Sequence, residues 1–159
     1  GNWDIHSIMA YYAAIDENNV VQQVIKVNNE VITDENGVED HAKGIAFLKN
    51  LPGNADKNFL RTSFGTYANV HYHVDPETSV MTVSDDQSKA FRKNYAGAGS
   101  IYHPDLDGFS HPQPFPSWIL DEETCVWHAP IAKPDTENSY SWDEDAYQAD
   151  NTQGWVLNT

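Results

Sequence analysis

The chain has 159 residues, of which 24 are acidic and 9 are basic, and its formal net charge is −15. Affinity for a phosphate backbone comes largely from Lys and Arg, so this balance argues against a nucleic-acid partner. No apolar run approaches the ~18 residues of a membrane-spanning helix, which argues against a membrane protein.

The first eight residues differ in character from the rest of the chain. The residues GNWDIHSI are too short and too acidic for a secretion signal, and Met9 is a plausible natural start. We therefore expect residues 1–8 to be an N-terminal extension or the remnant of a tag. We expect residues 9–159 to form a single mainly β domain.

The first predicted element is a hairpin in residues 10–27. Two apolar runs flank residues 16–19, whose Asp and Asn favour tight turns. Residues 28–40 are polar and predict a loop. Residues 44–51 then place apolar side chains at helical spacing, with Asp40 as a candidate N-cap and a Pro-Gly pair at the end. They predict the one good helix.

Strand-like sequence dominates the remainder. Residues 68–84 predict a second hairpin, in which His71 and His73 share one face of a strand while the apolar residues between and beside them share the other. Three more hairpins are predicted at residues 100–109, 117–127 and 140–157. The predicted fold class is mainly β with a minor α+β character, built from sequential antiparallel hairpins and one short helix. Residues 100–159 are a candidate C-terminal hairpin subdomain.

The only cysteine, Cys125, excludes an internal disulfide and a zinc site built from several cysteines. It lies between Thr124 and Val126 in a strand-like run. We therefore expect a buried small side chain and not a reactive thiol.

Two groups of side chains suggest a metal site. The imidazoles of His71 and His73, on one strand face, are suitable zinc ligands. Asp105 and Asp107 begin an oxygen-ligand loop for calcium, but the later bidentate Glu of an EF-hand is missing. The competing interpretation of the two histidines is a half-exposed strand face, and that of the two aspartates is an acidic hairpin turn. We favour the competing interpretation in both cases.

A set of aromatic residues is the candidate surface for binding a glycan or a protein partner. Exposed aromatic faces stack on sugar rings, whereas tryptophans in a short-stranded β domain more often fasten hairpins. We favour the packing role. The set comprises Trp118, Trp127, Trp142, Trp155 and Tyr102. The sequence has no nucleophile elbow and marks no convergent pair of carboxylates, so we expect no enzyme activity and no cofactor.

Five segments, in order, carry a resemblance to a known family. They are residues 9–21, 44–49, 91–99, 114–130 and 140–155, and the most specific tract reads FRKNYAGAG…PQPFPSWILDEETCVWHAP. In this order they resemble a family of small uncharacterised proteins from T-even-like, contractile-tailed marine phages, chiefly cyanophages. The resemblance covers residues 9–157. Residues 54–90 look longer and more variable than the family core, so a specific binding surface would be sought there.

The resemblance implies a non-enzymatic virion structural protein or a component associated with a tail appendage. Its implied partners are other virion proteins or further copies of the same chain, with a host glycan as an alternative ligand. The implied location is the virion, or the host cytoplasm during infection. A metal-binding protein that uses the histidines is the second alternative.

Overall fold

The computed structural model describes residues 9–159, and within them strands predominate over helices. The predicted mainly β fold of antiparallel hairpins is confirmed. The predicted extension, residues 1–8, lies outside the described part. The strands are β1 (Met9–Ile15), β2 (Val21–Asn28), β3 (Asn58–Thr62), β4 (Thr66–Tyr67), β5 (Val70–Val74), β6 (Met81–Val83), β7 (Ile101–His103), β8 (Gly108–Ser110), β9 (Ile119–Asp121), β10 (Val126–His128), β11 (Tyr140–Trp142) and β12 (Trp155–Leu157). The helices are α1 (Asn29–Ile32), α2 (His41–Lys49) and α3 (Glu144–Ala149), with a 3₁₀ turn at Gln87–Lys89.

The first sheet has the order β2-β1-β3, and β1 is its central strand. Both faces of β1 are buried, which explains its unbroken apolar sequence. On one face Ala10, Tyr12 and Ala14 pack with Ile32 of α1 and Leu48 of α2. On the other face Ala13 packs in a second cluster, with partners from β2, β8 and the segment before β7 (Val21, Phe109 and Ala96).

Helix α2 begins where the sequence predicts. The side chain of Asp40 accepts a hydrogen bond from the backbone N–H of Ala42, as an N-cap does. The predicted loop at residues 28–40 is interrupted by α1, whose four residues begin at an Asn28 cap and bury Ile32. Burial of Ile32 in the core accounts for this short helix.

The second sheet has the order β4-β5-β6, and all three strands are antiparallel. Its β5–β6 hairpin turns where predicted, because a carboxylate oxygen of Asp75 accepts hydrogen bonds from the backbone N–H groups of Glu77 and Thr78. The remaining predicted hairpins are also present as the pairs β7–β8, β9–β10 and β11–β12, with α3 inserted in the last.

The described chain divides into two compact units. The first unit comprises residues 9–112 together with Glu122–Val126, and the second comprises Gln113–Asp121 and Trp127–Thr159. Residues 100–112 therefore belong to the first unit and not to a C-terminal one. No helix in residues 9–159 is long and apolar enough to cross a bilayer.

Candidate functional site

One face of the β4-β5-β6 sheet is apolar over all three strands. The register places Tyr67 opposite Val70, Val83 opposite Tyr72 and Met81 opposite Val74, so all six side chains lie on the same face. Tyr67 is 54% exposed, Met81 53% and Val83 62%. A sheet in water normally turns its apolar face to the core, so this partly exposed face is a candidate interaction surface. We call these six residues the apolar face: Tyr67, Val70, Tyr72, Val74, Met81 and Val83.

The opposite face of the same sheet is polar. Thr66 is buried and shares a 2.6 Å hydrogen bond with Ser63, whereas His73 and Thr82 are exposed. Both faces are therefore exposed at the outer part of the β5–β6 hairpin. No other described segment covers the outer part of this hairpin, which lies within residues 54–90, the region that we expect to be variable.

The two predicted histidine ligands lie on this polar face. His71 Nδ1 is 2.7 Å from Ser84 Oγ, and burial lowers the pKa of His71, with Lys89 acting in the same direction. His71 is thus neutral and already engaged at neutral pH. Among residues 9–159, no three His, Cys, Asp or Glu side chains converge as a metal site would require.

The two predicted calcium ligands lie in the β7–β8 hairpin. One carboxylate oxygen of Asp107 accepts hydrogen bonds from Tyr102 Oη at 2.7 Å and from Arg92 Nε at 3.0 Å. Asp105 lies in the turn beside it. Burial raises the pKa of Tyr102, and the hydrogen bond to Asp107 adds to this rise. Asp107 therefore fastens its own hairpin to Arg92.

Three of the predicted tryptophans pack together in the second unit. The ring centres of Trp142 and Trp155 are 5.1 Å apart, and that of Trp118 lies 6.1 and 6.0 Å from them. The rings meet edge to face, with interplanar angles of 82°, 62° and 74°. This arrangement is typical of aromatic packing, whereas a sugar platform needs open ring faces.

Polar contacts fix the same tryptophan cluster. Trp142 Nε1 donates to Glu144, which also accepts from Ser117, and Trp155 Nε1 donates to the carbonyl of Ile131. Lys133 Nζ lies over the Trp155 ring, 5.3 Å from its centre. The two remaining residues of the set are half-buried elsewhere: Trp127 in β10, and Tyr102 against Phe109 in the first unit.

A buried arginine, which no sequence pattern indicated, lies on β3: Arg61 is only 6% exposed. Its Nη1 donates to the carbonyls of Tyr11 and Thr62, and its Nη2 lies 3.7 Å from a carboxylate oxygen of Glu39. Its Nε finds no acceptor among the described residues. Burial lowers the pKa of Arg61, and the nearby Glu39 opposes this effect.

A cavity of about 30 Å³ adjoins Arg61. It is lined by Met9, Tyr11, Asn29, Glu39, Arg61, Ser63, Phe64, His71, Lys89 and Phe91. This volume suits a water molecule but not an organic substrate. We therefore interpret Arg61 as a structural residue that organises the first unit.

No protein-family model matches the chain, and neither a curated protein nor a solved structure matches it. The phage-family resemblance accordingly stays a proposal. The exposed apolar face of β4-β5-β6 is the feature that offers a basis for a function.

Proposed function

We propose that the chain is a non-enzymatic component of a contractile-tailed phage virion, either a structural protein or a part of a tail appendage. Such a component works by contact with other virion proteins or with copies of itself. The apolar face is the observation that carries the proposal. Its side chains would lose hydration on contact with a partner, and that loss favours association.

Asp107 and the tryptophan cluster have structural roles. A function through contact with other proteins is therefore better supported than a function at either of these sites. Asp107 and the tryptophan cluster hold hairpins in place through their hydrogen bonds. The cavity beside Arg61, at about 30 Å³, is too small for an organic substrate. Support for the proposal therefore comes from an exposed surface and not from the cavity beside Arg61.

Quantitative mass spectrometry of purified virions tests this proposal. The virions come from a phage that encodes the chain, and a phage replication protein that stays in the host cell serves as the control. We expect the chain at a fixed ratio to the tail proteins and the control protein at background. The proposal fails if the chain is abundant in infected cells but falls to the level of the control in virions.

A further inference from the structure

The β4-β5-β6 sheet has one covered edge and one open edge. At the β4 edge, Asn69 N donates to the carbonyl of Lys93 at 2.7 Å, and Tyr95 N donates to the carbonyl of Thr66 at 2.8 Å. At the other edge, β6 has no neighbouring strand in the described part of the chain. The β6 edge is therefore the place where the sheet can accept another strand.

The hydrogen bonds between β5 and β6 identify which backbone groups face outward. Asp75 N donates to the carbonyl of Val80, and Ser84 N donates to the carbonyl of His71. In an antiparallel ladder, alternate residues direct their N–H and C=O groups to the same neighbour. The backbone groups of Val80, Thr82 and Ser84 thus face β5, and those of Met81 and Val83 face outward.

The β6 edge lacks side chains that protect it against pairing. Natural edge strands are blunted by shortness, which the three-residue β6 shares, or by Lys, Pro, bulges or inward charges, which it lacks. Residues 79–84, with the sequence SVMTVS, contain no charge and no proline, although the chain holds 24 acidic and 9 basic residues. The open part of β2 differs, since it exposes Gln22, Gln23 and Lys26.

We infer that two copies of this chain join through their β6 edges as antiparallel strands, in a register centred on Thr82. Met81 of each copy then stands opposite Val83 of the other. These are the residues whose backbone groups face outward, so the register forms a complete hydrogen-bonded ladder. The inference rests on the proposed function only for the premise that this protein works by assembly.

Apolar contact and charge favour this register over its neighbours. At one end of β6 the chain turns back into β5, where Asp75 pairs with Val80, and at the other end Gln87 bonds to His71, so only residues 79–85 can face the second copy. The register centred on Thr82 sets Asp85 opposite Ser79. A shift by two residues in one direction sets Asp85 opposite Met81, which is unfavourable because a carboxylate then meets an apolar side chain, and a shift in the other direction sets Val83 opposite Ser79.

The joined sheets would have six strands and one continuous apolar face. Met81 and Val83 would then be covered by Val83 and Met81 of the second copy, which removes apolar surface from water at the seam. The high net charge of each copy opposes association over longer distances. Association should therefore strengthen with salt, because salt screens this repulsion.

Sedimentation equilibrium of the full chain over a concentration series tests the inference. We expect a reversible monomer–dimer equilibrium that strengthens between about 0.05 and 0.5 M NaCl. Val83→Lys should weaken the dimer by about tenfold or more, since a lysine is a natural protector of edges. Tyr67→Lys is the matched control, because it adds the same charge on the same face but at the covered edge.

A disulfide reports the register directly. In the proposed pairing, the two Thr82 residues form a non-hydrogen-bonded pair with Cα atoms about 4.5 Å apart, a distance that a disulfide spans. Thr82→Cys should cross-link under oxidised glutathione, which accepts the two electrons and two protons. Val80→Cys, which faces Ser84 of the second copy, should not cross-link. The wild-type chain, with its buried Cys125, is the background control.

Three results would overturn the inference: a monomer at every concentration and salt level, equal weakening by both lysine variants, or equal cross-linking of both cysteine variants. Equal weakening would instead indicate face-to-face packing of the apolar faces. The test of the proposed function is independent of the test of the dimer. A dimer that is absent from virions contradicts only that function, and a monomer that is present in virions contradicts only the dimer.

Discussion

Arg61 keeps its charge inside the first unit through contacts of three kinds. Its Nη1 donates to two carbonyls, its Nη2 lies 3.7 Å from Glu39, and its guanidinium carbon is 4.8 Å from the centre of the Phe91 ring. Removing a charged group from water costs several kcal/mol, which such contacts must offset.

Arg61→Met tests this arrangement. The methionine keeps an apolar stem but leaves the carbonyls of Tyr11 and Thr62 without this donor and the carboxylate of Glu39 without the nearby positive charge. We expect the free energy of unfolding to fall by about 3 kcal/mol, as when one partner of a buried pair is removed. Urea unfolding followed by far-ultraviolet circular dichroism measures it.

Lys26→Met is the control for that measurement, because Lys26 is exposed on β2. It should change the unfolding free energy by no more than about 0.5 kcal/mol. If both variants unfold at the same urea concentration, the contacts of Arg61 contribute no net stability.

Asp135 in the second unit illustrates how hydrogen bonds alone tune an exposed carboxyl. A hydrogen bond from Tyr140, and then one from the backbone N–H of Asn138, lower the pKa of Asp135 from 3.8 to about 2. The folded state therefore favours the charged carboxylate. Its stabilising effect is complete above pH 3.8 and is lost as the pH falls through about 2.

Tyr140→Phe should raise the pKa of Asp135 towards its ordinary value of 3.8, because the phenol hydrogen bond is the largest cause of the shift. Titration of the carboxyl carbon by NMR spectroscopy measures this. Tyr147→Phe, in α3, should leave the titration unchanged. An unaltered Asp135 pKa in Tyr140→Phe would show that the backbone N–H groups of Glu137 and Asn138 and the side-chain amide of Asn138 hold the carboxylate without the phenol.

Among the elements, two of the hairpin turns were predictable because each carries its own closing group. Asp16 accepts from the backbone N–H groups of Asn18 and Val20, and Asp75 plays the same part in the β5–β6 turn. These contacts span a few residues, so the local sequence holds the information. The pairing of β1 with β3 joins distant segments, and no local pattern indicated it.

The alternation in β5 predicted two faces but not which of them meets solvent. An apolar face is expected to lie on a core, and here half of its residues are exposed. The burial of Arg61 was missed in the opposite way: a lone arginine in a strand is usually exposed, and this one is buried. In both cases the orientation depends on the segments that pack against the strand, which the strand's own sequence does not record. The expected burial of Cys125 is confirmed, at 2% exposed, although the residue lies in the turn before β10 and not within a strand.

Gly44 sets how closely α2 approaches β1. A Cβ atom at Gly44 would lie 2.8 Å from Cε2 of Tyr12 and closer still to its Cζ and hydroxyl, and Tyr12 is fully buried. The hydroxyl of Tyr12 also donates to the carbonyl of His41 on the same helix. The ring therefore has no room to yield without loss of this hydrogen bond.

Gly44→Ala should destabilise the chain by about 2 kcal/mol through overpacking, although alanine is the better helix former by about 1 kcal/mol. Gly97→Ala is the matched control, because a Cβ there has no atom within 4 Å and needs no left-handed backbone. Chemical unfolding compares the two variants. A Gly44→Ala protein as stable as wild type would mean that α2 shifts away from Tyr12 at no cost.

Over the full chain, the formal net charge of −15 makes self-repulsion part of the stability balance. The range of this electrostatic repulsion shrinks from about 30 Å at 0.01 M salt to about 8 Å at 0.15 M. We expect the melting temperature to rise with NaCl over this interval, measured at a protein concentration low enough to keep the chain monomeric.

Replacing three exposed acidic residues, Glu17, Glu35 and Asp56, by Lys tests the cause of that rise. The formal net charge then changes from −15 to −9, since each substitution removes one negative charge and adds one positive charge. The salt dependence of the melting temperature should shrink in this variant. An undiminished dependence would attribute the effect to something other than self-repulsion.

Glu122–Val126 belongs to the first unit although it follows a segment of the second unit in the sequence. This order affects how the chain folds as it is synthesised. Asn94 Nδ2 donates to the carbonyls of Thr124 and Phe109, both at 2.8 Å, and Lys93 Nζ donates to the carbonyl of Glu122 at 2.7 Å. A nascent chain that has reached only Pro112 lacks two of these acceptors. The first unit therefore completes its hydrogen bonding only after the ribosome has made the first segment of the second, whereas successive domains can fold one after the other from the N-terminus.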